Sequence, residues 1–215
     1  MKQLVIFDLD GTLLNTIDDL GCAANHALTA MGFPCHVLQT YPMMVGNGVR
    51  RLIERALPPE ERNDNIIEQM LRHFREYYDE HLRDNTRPYP GIDLLIAELQ
   101  RRGINMAVAS NKYESATRKL ITHFFGDTTF ASICGHIEGM PVKPDPSVVF
   151  RVLTECPTPK ADVLYVGDSG IDMETARRAC VDSAGVTWGF RPRRELVAAF
   201  AGHIVSDPAD ILGLL

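Results

Sequence analysis

The sequence lacks any apolar run long enough to cross a membrane and any cysteine pair with the spacing of a zinc site. Only four consecutive apolar residues precede Asp8, too few for a secretory signal peptide. No apolar segment approaches the roughly 18 residues that a membrane-spanning helix needs. The 5 cysteines are scattered and odd in number, so no disulfide framework is indicated. These absences favour a cytoplasmic protein with free thiols and no membrane partner.

Basic residues are also too few for a general nucleic-acid surface. The 215-residue chain has 22 lysines and arginines against 28 aspartates and glutamates, which gives a net charge of −6. This balance argues against a nucleic-acid partner but leaves room for a local basic pocket. The apolar fraction of 45% is that of a globular protein, and the length suits one large domain or a core with a smaller insert.

The most informative stretch lies at the N-terminus, where an apolar strand leads into two acids. Leu4 to Phe7 predict a short strand buried on both faces, as in a parallel sheet. Asp8 and Asp10 follow it, and two carboxylates so close together need a cation between them. Gly11 permits a sharp turn that brings backbone N–H groups toward an anion. The stretch therefore predicts a site for a metal-held phosphate.

Apolar spacing divides the rest of the chain into a helical block and an alternating part. Residues 15–85 show only helical periodicity and no strand signal, and the proline-containing stretch 86–91 is typical of a linker. Beyond it, helices alternate with apolar stretches that predict strands at 104–109, 130–134, 163–166, 184–188 and 203–205. Such alternation implies right-handed crossovers and parallel strands.

We therefore predict an α/β fold with a Rossmann-like, doubly wound parallel sheet. Its core comprises residues 1–14 and 86–215, and a small all-helical cap, residues 15–85, is inserted after the first strand. Ligands collect at the carboxyl ends of the strands in such sheets. Polar residues stand at or near three predicted strand ends and in one loop, and we expect them at one edge: Asp8, Asp10, Ser110, Asn111, Lys143, Asp168 and Asp172.

These stretches resemble the four motifs of the haloacid dehalogenase superfamily, in the same order and over the whole chain. The resemblance implies that Asp8 is a nucleophile that forms an aspartyl-phosphate, and that Asp10 is the general acid and base. The family's dehalogenases and ion-pumping ATPases have another residue in place of Asp10, so this aspartate points to a phosphohydrolase or a phosphomutase.

The same resemblance assigns the cofactor and the phosphate contacts. Mg²⁺ is expected on Asp8, on the backbone carbonyl of Asp10 and on Asp168, with Asp172 as a further ligand or as support for the site. Lys143 would neutralise the phosphate together with Asp8. The phosphate oxygens would be bound by the polar residues that follow two of the strands: Gly11, Thr12, Ser110 and Asn111.

Within the superfamily the chain is similar to phosphoglycolate phosphatases, through residues 15–20, 45–50 and 188–193. Asn15 departs from the acid usual at that position. Phosphoglycolate carries a carboxylate beside its phosphate, so a second cationic contact is expected. We predict it at Arg50 and Arg51, which together with Asn47 lie in a glycine-containing segment of the cap, with Arg191 as a further candidate.

Other activities would use the same catalytic residues. A pyrophosphatase, a nucleotidase and a broad-specificity sugar phosphatase would differ only in the cap. A mutase of the β-phosphoglucomutase type is disfavoured because its usual cap histidine, soon after the first motif, is absent. The intact pair Asp8 and Asp10 disfavours a non-catalytic phosphate-binding protein. The expected partner is a small phosphorylated metabolite, and the protein would be a monomer or a homodimer.

Overall fold

A parallel six-stranded sheet forms the centre of the computed structural model, which describes residues 1–215. In chain order the strands are β1 (Leu4–Phe7), β2 (Leu14–Asn15), β3 (Arg87–Pro88), β4 (Asn105–Tyr113), β5 (Ser132–His136), β6 (Val163–Gly167), β7 (Asp182–Val186) and β8 (His203–Val205). The sheet has the order β5-β4-β1-β6-β7-β8, and all its neighbouring strands run parallel. The predicted α/β class with a doubly wound parallel sheet is confirmed.

Eight α-helices connect and cover these strands. They are α1 (Ile17–Ala30), α2 (Val49–Ala56), α3 (Asp64–His81), α4 (Ile92–Arg101), α5 (Glu114–Phe125), α6 (Ser147–Glu155), α7 (Gly170–Ala179) and α8 (Arg193–Ala198). Short 3₁₀ segments occupy Leu38–Met43, Pro59–Glu61, Lys160–Asp162 and Pro208–Leu214. Every helix is too short or too polar to span a lipid bilayer.

The central strand β1 shows why the sequence forms this layered arrangement. All four of its residues are fully buried. Val5 and Phe7 belong to one hydrophobic cluster, whereas Leu4 and Ile6 belong to a second cluster. Successive side chains of a strand point to opposite faces, so an uninterrupted apolar run supplies a core on each side of the sheet. The acids that follow β1 therefore emerge at the edge between the two cores.

The helices α1 to α3 leave and rejoin the rest of the chain through a short ribbon. Strands β2 and β3 pair antiparallel, with Leu14 opposite Pro88 and Asn15 opposite Arg87. The expectation of no strand within 15–85 is wrong at Asn15, because a two-residue strand depends on its distant partner and leaves no periodic pattern in the sequence. We call the paired strands β2 and β3 the stem.

A buried carboxylate reinforces the stem. Asp19, in the first turn of α1, is only 2% exposed. It accepts hydrogen bonds from the backbone N–H of Asn85 at 2.9 Å, and from the backbone N–H and hydroxyl of Thr86 at 2.8 and 2.7 Å. One side chain thus ties the start of the helical segment to the residues that precede β3. Hydrogen bonds to an ionised acceptor are the stronger kind.

Two strand ends differ from the predicted bounds in ways that affect the edge of the sheet. Strand β4 continues beyond Ala109 to Tyr113, and its register against β5 shifts between these two residues. Ser110 and Asn111 therefore lie in the irregular last part of a strand rather than after it. Strand β7 ends at Val186, and Trp188 instead donates its indole N–H to the backbone carbonyl of Thr12 at 3.0 Å.

Candidate active site

The carboxyl ends of β1 and β6 bring three buried carboxylates together. Asp8 follows β1, Asp168 follows β6, and Asp172 lies in the first turn of α7. One oxygen of each carboxylate lies within 4.8 Å of the others. The three residues are at most 7% exposed. A cluster of negative charges at this depth requires a compensating positive charge.

Lys143 supplies part of this compensation. Its Nζ lies 2.7 Å from Asp8 Oδ1 and 2.8 Å from Asp172 Oδ1, and the side chain is 3% exposed. The ammonium also donates to the backbone carbonyl of Ala109 at 3.0 Å and to the hydroxyl of Tyr165 at 3.1 Å. The lysine is therefore fixed, and its charge faces the nucleophile candidate directly.

The single positive charge of Lys143 does not balance three carboxylates, and the pKa values of Asp8 and Asp168 are raised accordingly. Burial raises the pKa of Asp8 to about 7; Lys143 opposes this rise and Asp172 adds to it. Burial also raises the pKa of Asp168 well above its usual range, with further contributions from Asp172 and Asp8. Ionising these acids together needs a further cation.

The donor set fits a hard divalent cation. Asp168 Oδ2 accepts the backbone N–H of Phe190 at 2.6 Å, which leaves its other oxygen available. Asp8 likewise uses only Oδ1 toward Lys143. A Cβ at Gly11, whose φ is +91°, would overlap the carboxylate of Asp168, so this glycine allows the chain to pass closely. Buried carboxylate oxygens with this freedom are the ligands that Mg²⁺ prefers.

Asp172 has less freedom than the other two acids. Its Oδ2 accepts the backbone N–H and the hydroxyl of Ser169, which forms a capping box at the start of α7. Its Oδ1 accepts from Lys143 and, at 3.3 Å, from the hydroxyl of Tyr165. Both oxygens already have partners, so this geometry favours support of Lys143 over direct metal ligation.

The second acid of the first motif lies beside the cluster with partners of its own. Asp10 Oδ1 accepts a hydrogen bond from the hydroxyl of Thr16 at 2.6 Å. The same oxygen lies 3.0 Å from Nζ of Lys112. Asp10 is half-buried, unlike the three clustered acids. It is held in place, and it lies at the wall of the cavity that the cluster faces.

The end of β4 provides polar groups on the other side of Lys143. The Asn111 side chain accepts the backbone N–H of Lys143 at 2.7 Å and donates to its carbonyl at 3.2 Å. It also donates to the carbonyl of Gly46, between α1 and α2, at 3.3 Å. Ser110 is 3% exposed, and its hydroxyl accepts the backbone N–H of Lys112. Asn111 therefore anchors the loop that presents the lysine.

These groups line one cavity. Its floor contains the three carboxylates, Ser110, Asn111 and Lys143, and Asp10 lines the wall beside them. Its other wall comes from the segment between β2 and β3, through Val45, Gly46, Gly48, Val49, Leu52, Phe74 and Tyr78. The cavity thus has a charged floor and a largely apolar wall, as expected of a site for a small polar ligand.

Several residues predicted to bind substrate lie away from this cavity. Arg50 pairs with Asp64 and Glu68 at 2.5 Å each, and Arg51 pairs with Glu54, also at 2.5 Å. The structure therefore does not bring either arginine to the cavity. The buried face of α2 consists of Leu52, Ile53 and Ala56, and the two arginines lie outside this face.

Three other residues of the predicted binding set also lie outside the lining. The side chain of Asn47 accepts a hydrogen bond from Arg55 at 2.7 Å. Gly11 packs against Asp168, as described above, and Thr12 is fully buried with a hydroxyl that has no hydrogen-bond partner. Of the residues predicted to contact substrate, Ser110, Asn111 and Arg191 line the cavity.

Two cationic side chains line the cavity besides Lys143. Arg191 donates to the backbone carbonyls of Pro42 and Val45 at 2.9 and 2.6 Å, so it joins the residues after β7 to the loop before α2. Lys112 was not singled out from the sequence. The sequence did contain a signal that Lys112 shares the site with Ser110, because it stands two residues after Ser110 and alternate residues of a strand share a face.

Comparison with known proteins agrees with this fold and site. Residues 5–186 match the family described as haloacid dehalogenase-like hydrolase. The chain therefore belongs to that family, and it is a hydrolase of the phosphatase class. Individual relatives show which phosphatases the chain is similar to. It is 33% identical to phosphoglycolate phosphatase of Thiobacillus denitrificans, over 97% of this chain and 93% of the relative. It is 32% identical to the phosphoglycolate phosphatase of Mesorhizobium japonicum, over 89% and 86% of the two chains.

A solved structure extends the likeness to three dimensions. The crystal structure of a predicted phosphoglycolate phosphatase from Haemophilus somnus matches with a TM-score of 0.89 at 28% identity. The match covers 99% of this chain and 97% of that one. The whole fold, including the helices between β2 and β3, is therefore shared with that protein. The predicted family and its phosphoglycolate phosphatase-like character are confirmed.

Proposed function

We propose that this protein is a Mg²⁺-dependent phosphoglycolate phosphatase that converts 2-phosphoglycolate and water to glycolate and phosphate. The observation that carries the proposal is the pairing of buried Asp8 with Lys143 at the floor of the cavity, beside Asp168. This arrangement provides a nucleophile, a fixed cation and metal-ligand oxygens at one point. The named relatives support the choice of phosphoglycolate.

In the proposed first step Asp8 accepts the phosphoryl group. One of its carboxylate oxygens attacks phosphorus, the bond between phosphorus and the ester oxygen breaks, and Asp10 donates a proton to the departing glycolate oxygen. In the second step water attacks the aspartyl-phosphate while Asp10 takes its proton, which releases phosphate and restores Asp8. The position of Asp10 at the cavity wall suits both transfers.

The other polar residues of the floor would stabilise the transferring group. Lys143 places its charge next to Asp8 and would face the phosphoryl oxygens as negative charge develops there. Ser110 and the backbone N–H of Asn111 would donate to the same oxygens. Asp8, Asp168 and the backbone carbonyl of Asp10 would hold Mg²⁺, and Asp172 would support the site through Lys143. The ion would supply Lewis-acid neutralisation of the phosphate and lower its repulsion from Asp8.

We also propose that residues 15–85 act as a cap over the cavity. Residues of α2 and α3 contribute its apolar wall, while the charged floor comes from the ends of the sheet strands, the loop of Lys143 and the start of α7. Closure of such a wall would exclude water from the reaction. Because the stem is the covalent connection between the two parts, any opening of the cap would bend the chain near Asn15 and Arg87.

Rates on a panel of phosphate esters test the proposal. With Mg²⁺ present, we expect the highest kcat/KM for 2-phosphoglycolate among pyrophosphate, nucleoside monophosphates, hexose phosphates and p-nitrophenyl phosphate. A clear preference for another ester would refute the substrate assignment while leaving the phosphatase class intact.

A labelling experiment tests the nucleophile. Rapid acid quenching with ³²P-labelled substrate should trap the label on Asp8, and Asp8→Asn should abolish both labelling and turnover. Asp18→Asn, an exposed acid in the first turn of α1, is the matched control and should keep both. Label on another side chain would contradict the mechanism.

A further inference from the structure

Lys112 is a buried cation in the cavity to which the proposed chemistry assigns no role. Its side chain is 4% exposed, although lysine is rarely buried without a partner. Its Nζ lies 3.0 Å from Asp10 Oδ1 and donates to the hydroxyl of Tyr78 at 2.9 Å. The ammonium also lies 4.7 Å from the centre of the Tyr78 ring. Asp10, which follows β1, and Tyr78 of α3 thus hold the ammonium of Lys112 at the cavity.

The other cations of the lining are already engaged. Lys143 contacts two carboxylates, a carbonyl and a hydroxyl, and Arg191 donates to the carbonyls of Pro42 and Val45. Lys112 has two partners in this structure, whereas an ammonium group has three hydrogens to donate. Lys112 therefore has a donor left for a ligand, and unlike Arg191, whose contacts are to Pro42 and Val45, it lies beside Asp10.

The position of Lys112 relative to Asp10 defines which part of a substrate it meets. A general acid must approach the ester oxygen to within about 2.6–3.2 Å. Lys112 contacts Asp10 Oδ1, which also accepts from Thr16, so Oδ2 is the oxygen left to serve the ester. An ester oxygen served by Oδ2 lies one carboxylate width farther from the lysine, within roughly 8 Å of its nitrogen. A carboxylate on the carbon that bears this oxygen shortens that distance when it points toward the lysine.

We propose that Lys112 is a specificity-determining residue that binds a negative group on the leaving alcohol. The site would then select phosphate esters in which the carbon bearing the ester oxygen also carries a carboxylate. This inference rests on the proposed function and deepens it, because 2-phosphoglycolate is the smallest ester with that arrangement. Tyr78 holds the lysine in place from the cap side, and Lys143, beside Asp8, would face the phosphoryl group.

The test compares two esters of the same length in one enzyme and its variants. The ratio of kcat/KM for 2-phosphoglycolate to that for 2-hydroxyethyl phosphate isolates the effect of the carboxylate, because a uniform loss of activity cancels. In Lys112→Gln we expect this ratio to fall by roughly 10- to 100-fold, the worth of one charge-assisted hydrogen bond. The loss should be mainly a higher KM for 2-phosphoglycolate.

Two further variants make the result interpretable. Lys119→Gln removes the same charge from an exposed position of α5, and its ratio should equal that of the wild type. If Lys112→Gln does not fold, Lys112→Met keeps the side-chain length without placing a new polar group in the cavity, and the same ratio is measured. Circular dichroism and thermal melting establish that each variant is folded.

The outcomes separate this inference from the proposed function. A folded Lys112 variant that keeps the wild-type ratio would overturn the role of Lys112 and leave the substrate assignment standing. A wild-type enzyme without preference for the carboxylate ester would overturn both. Preference for a different anionic ester, lost in the Lys112 variants, would overturn the substrate assignment and support the role of the lysine.

Discussion

Replacing Lys143 by methionine tests whether the lysine compensates the buried carboxylates. Methionine has a similar length and no charge, so the change removes the ammonium and leaves the space largely filled. The carboxylates of Asp8 and Asp172, 2.7 and 2.8 Å from the nitrogen, would lose their shared cation. Breaking a buried ion pair on one side costs about 3–5 kcal/mol, because the remaining charge is left without compensation.

The pH dependence of this cost follows from the pKa of Asp8. Burial raises that pKa to about 7 even though Lys143 opposes the rise, so the pKa in Lys143→Met must lie higher still. At Asp8 the folded wild type binds more protons than the unfolded chain up to about pH 7, and the folded variant does so to a higher pH. Stability falls with rising pH wherever the folded state binds more protons. The destabilisation should therefore increase as the pH rises above about 7.

Urea unfolding in EDTA at pH 6 and pH 9 measures both effects. We expect Lys143→Met to lose about 3–5 kcal/mol, equivalent to roughly 6–20 °C in Tm for a chain of this size, with the larger loss at pH 9. With Mg²⁺, kcat should fall by about 10²-fold or more. The exposed-site control Lys119→Met should change stability by less than about 0.5 kcal/mol. A loss no greater than that of the control, or one independent of pH, would refute the reasoning.

Two further predictions concern the metal and the stem. Removing divalent cations with EDTA should abolish turnover, and the affinity for Mg²⁺, measured by thermal shift, should weaken as the pH falls from 8 to 6. The reason is that protons compete for Asp8, whose pKa is about 7 without metal; equal affinity at both pH values would contradict this. Asp19→Ala should lower the free energy of unfolding by about 3 kcal/mol, because the buried donors of Thr86 and the part-buried donor of Asn85 lose their acceptor. Asp18→Ala is the control, and an equal loss in both variants on urea unfolding would disprove the role of Asp19.

The sheet and its active edge were predictable because the local signal has few alternative explanations. A buried strand such as Leu4–Phe7 has no packing reason to end in acids, and the same holds for Gly167 followed by Asp168. Parallel strands then bring their carboxyl ends to one edge. The strand order was not predictable, because nothing in the spacing of the strands specifies that β1 lies between β4 and β6.

The cationic contacts of the cavity depend on the orientation of elements, which composition does not specify. Their charge and their neighbouring glycines make Arg50 and Arg51 candidates in the sequence, but the apolar residues of α2 orient both arginines toward acidic partners outside the cavity. Lys112 is the opposite case. On a strand end it has the same appearance as a solvated lysine, and only its proximity to Asp10 and Tyr78 distinguishes it.

The adjacency of Leu14 and Pro88 in the stem affects how this protein can change over evolution. The inserted segment leaves the rest of the chain and returns to it at neighbouring residues, so it does not have to bridge a fixed distance. Its length and composition can therefore vary without moving the residues on either side. Substrate preference could then diversify in the inserted helices while the phosphoryl-transfer residues stay fixed. Lys112 is the exception, because it belongs to the sheet and yet touches Tyr78 of the inserted helices. New preferences would have to arise as paired changes across that contact.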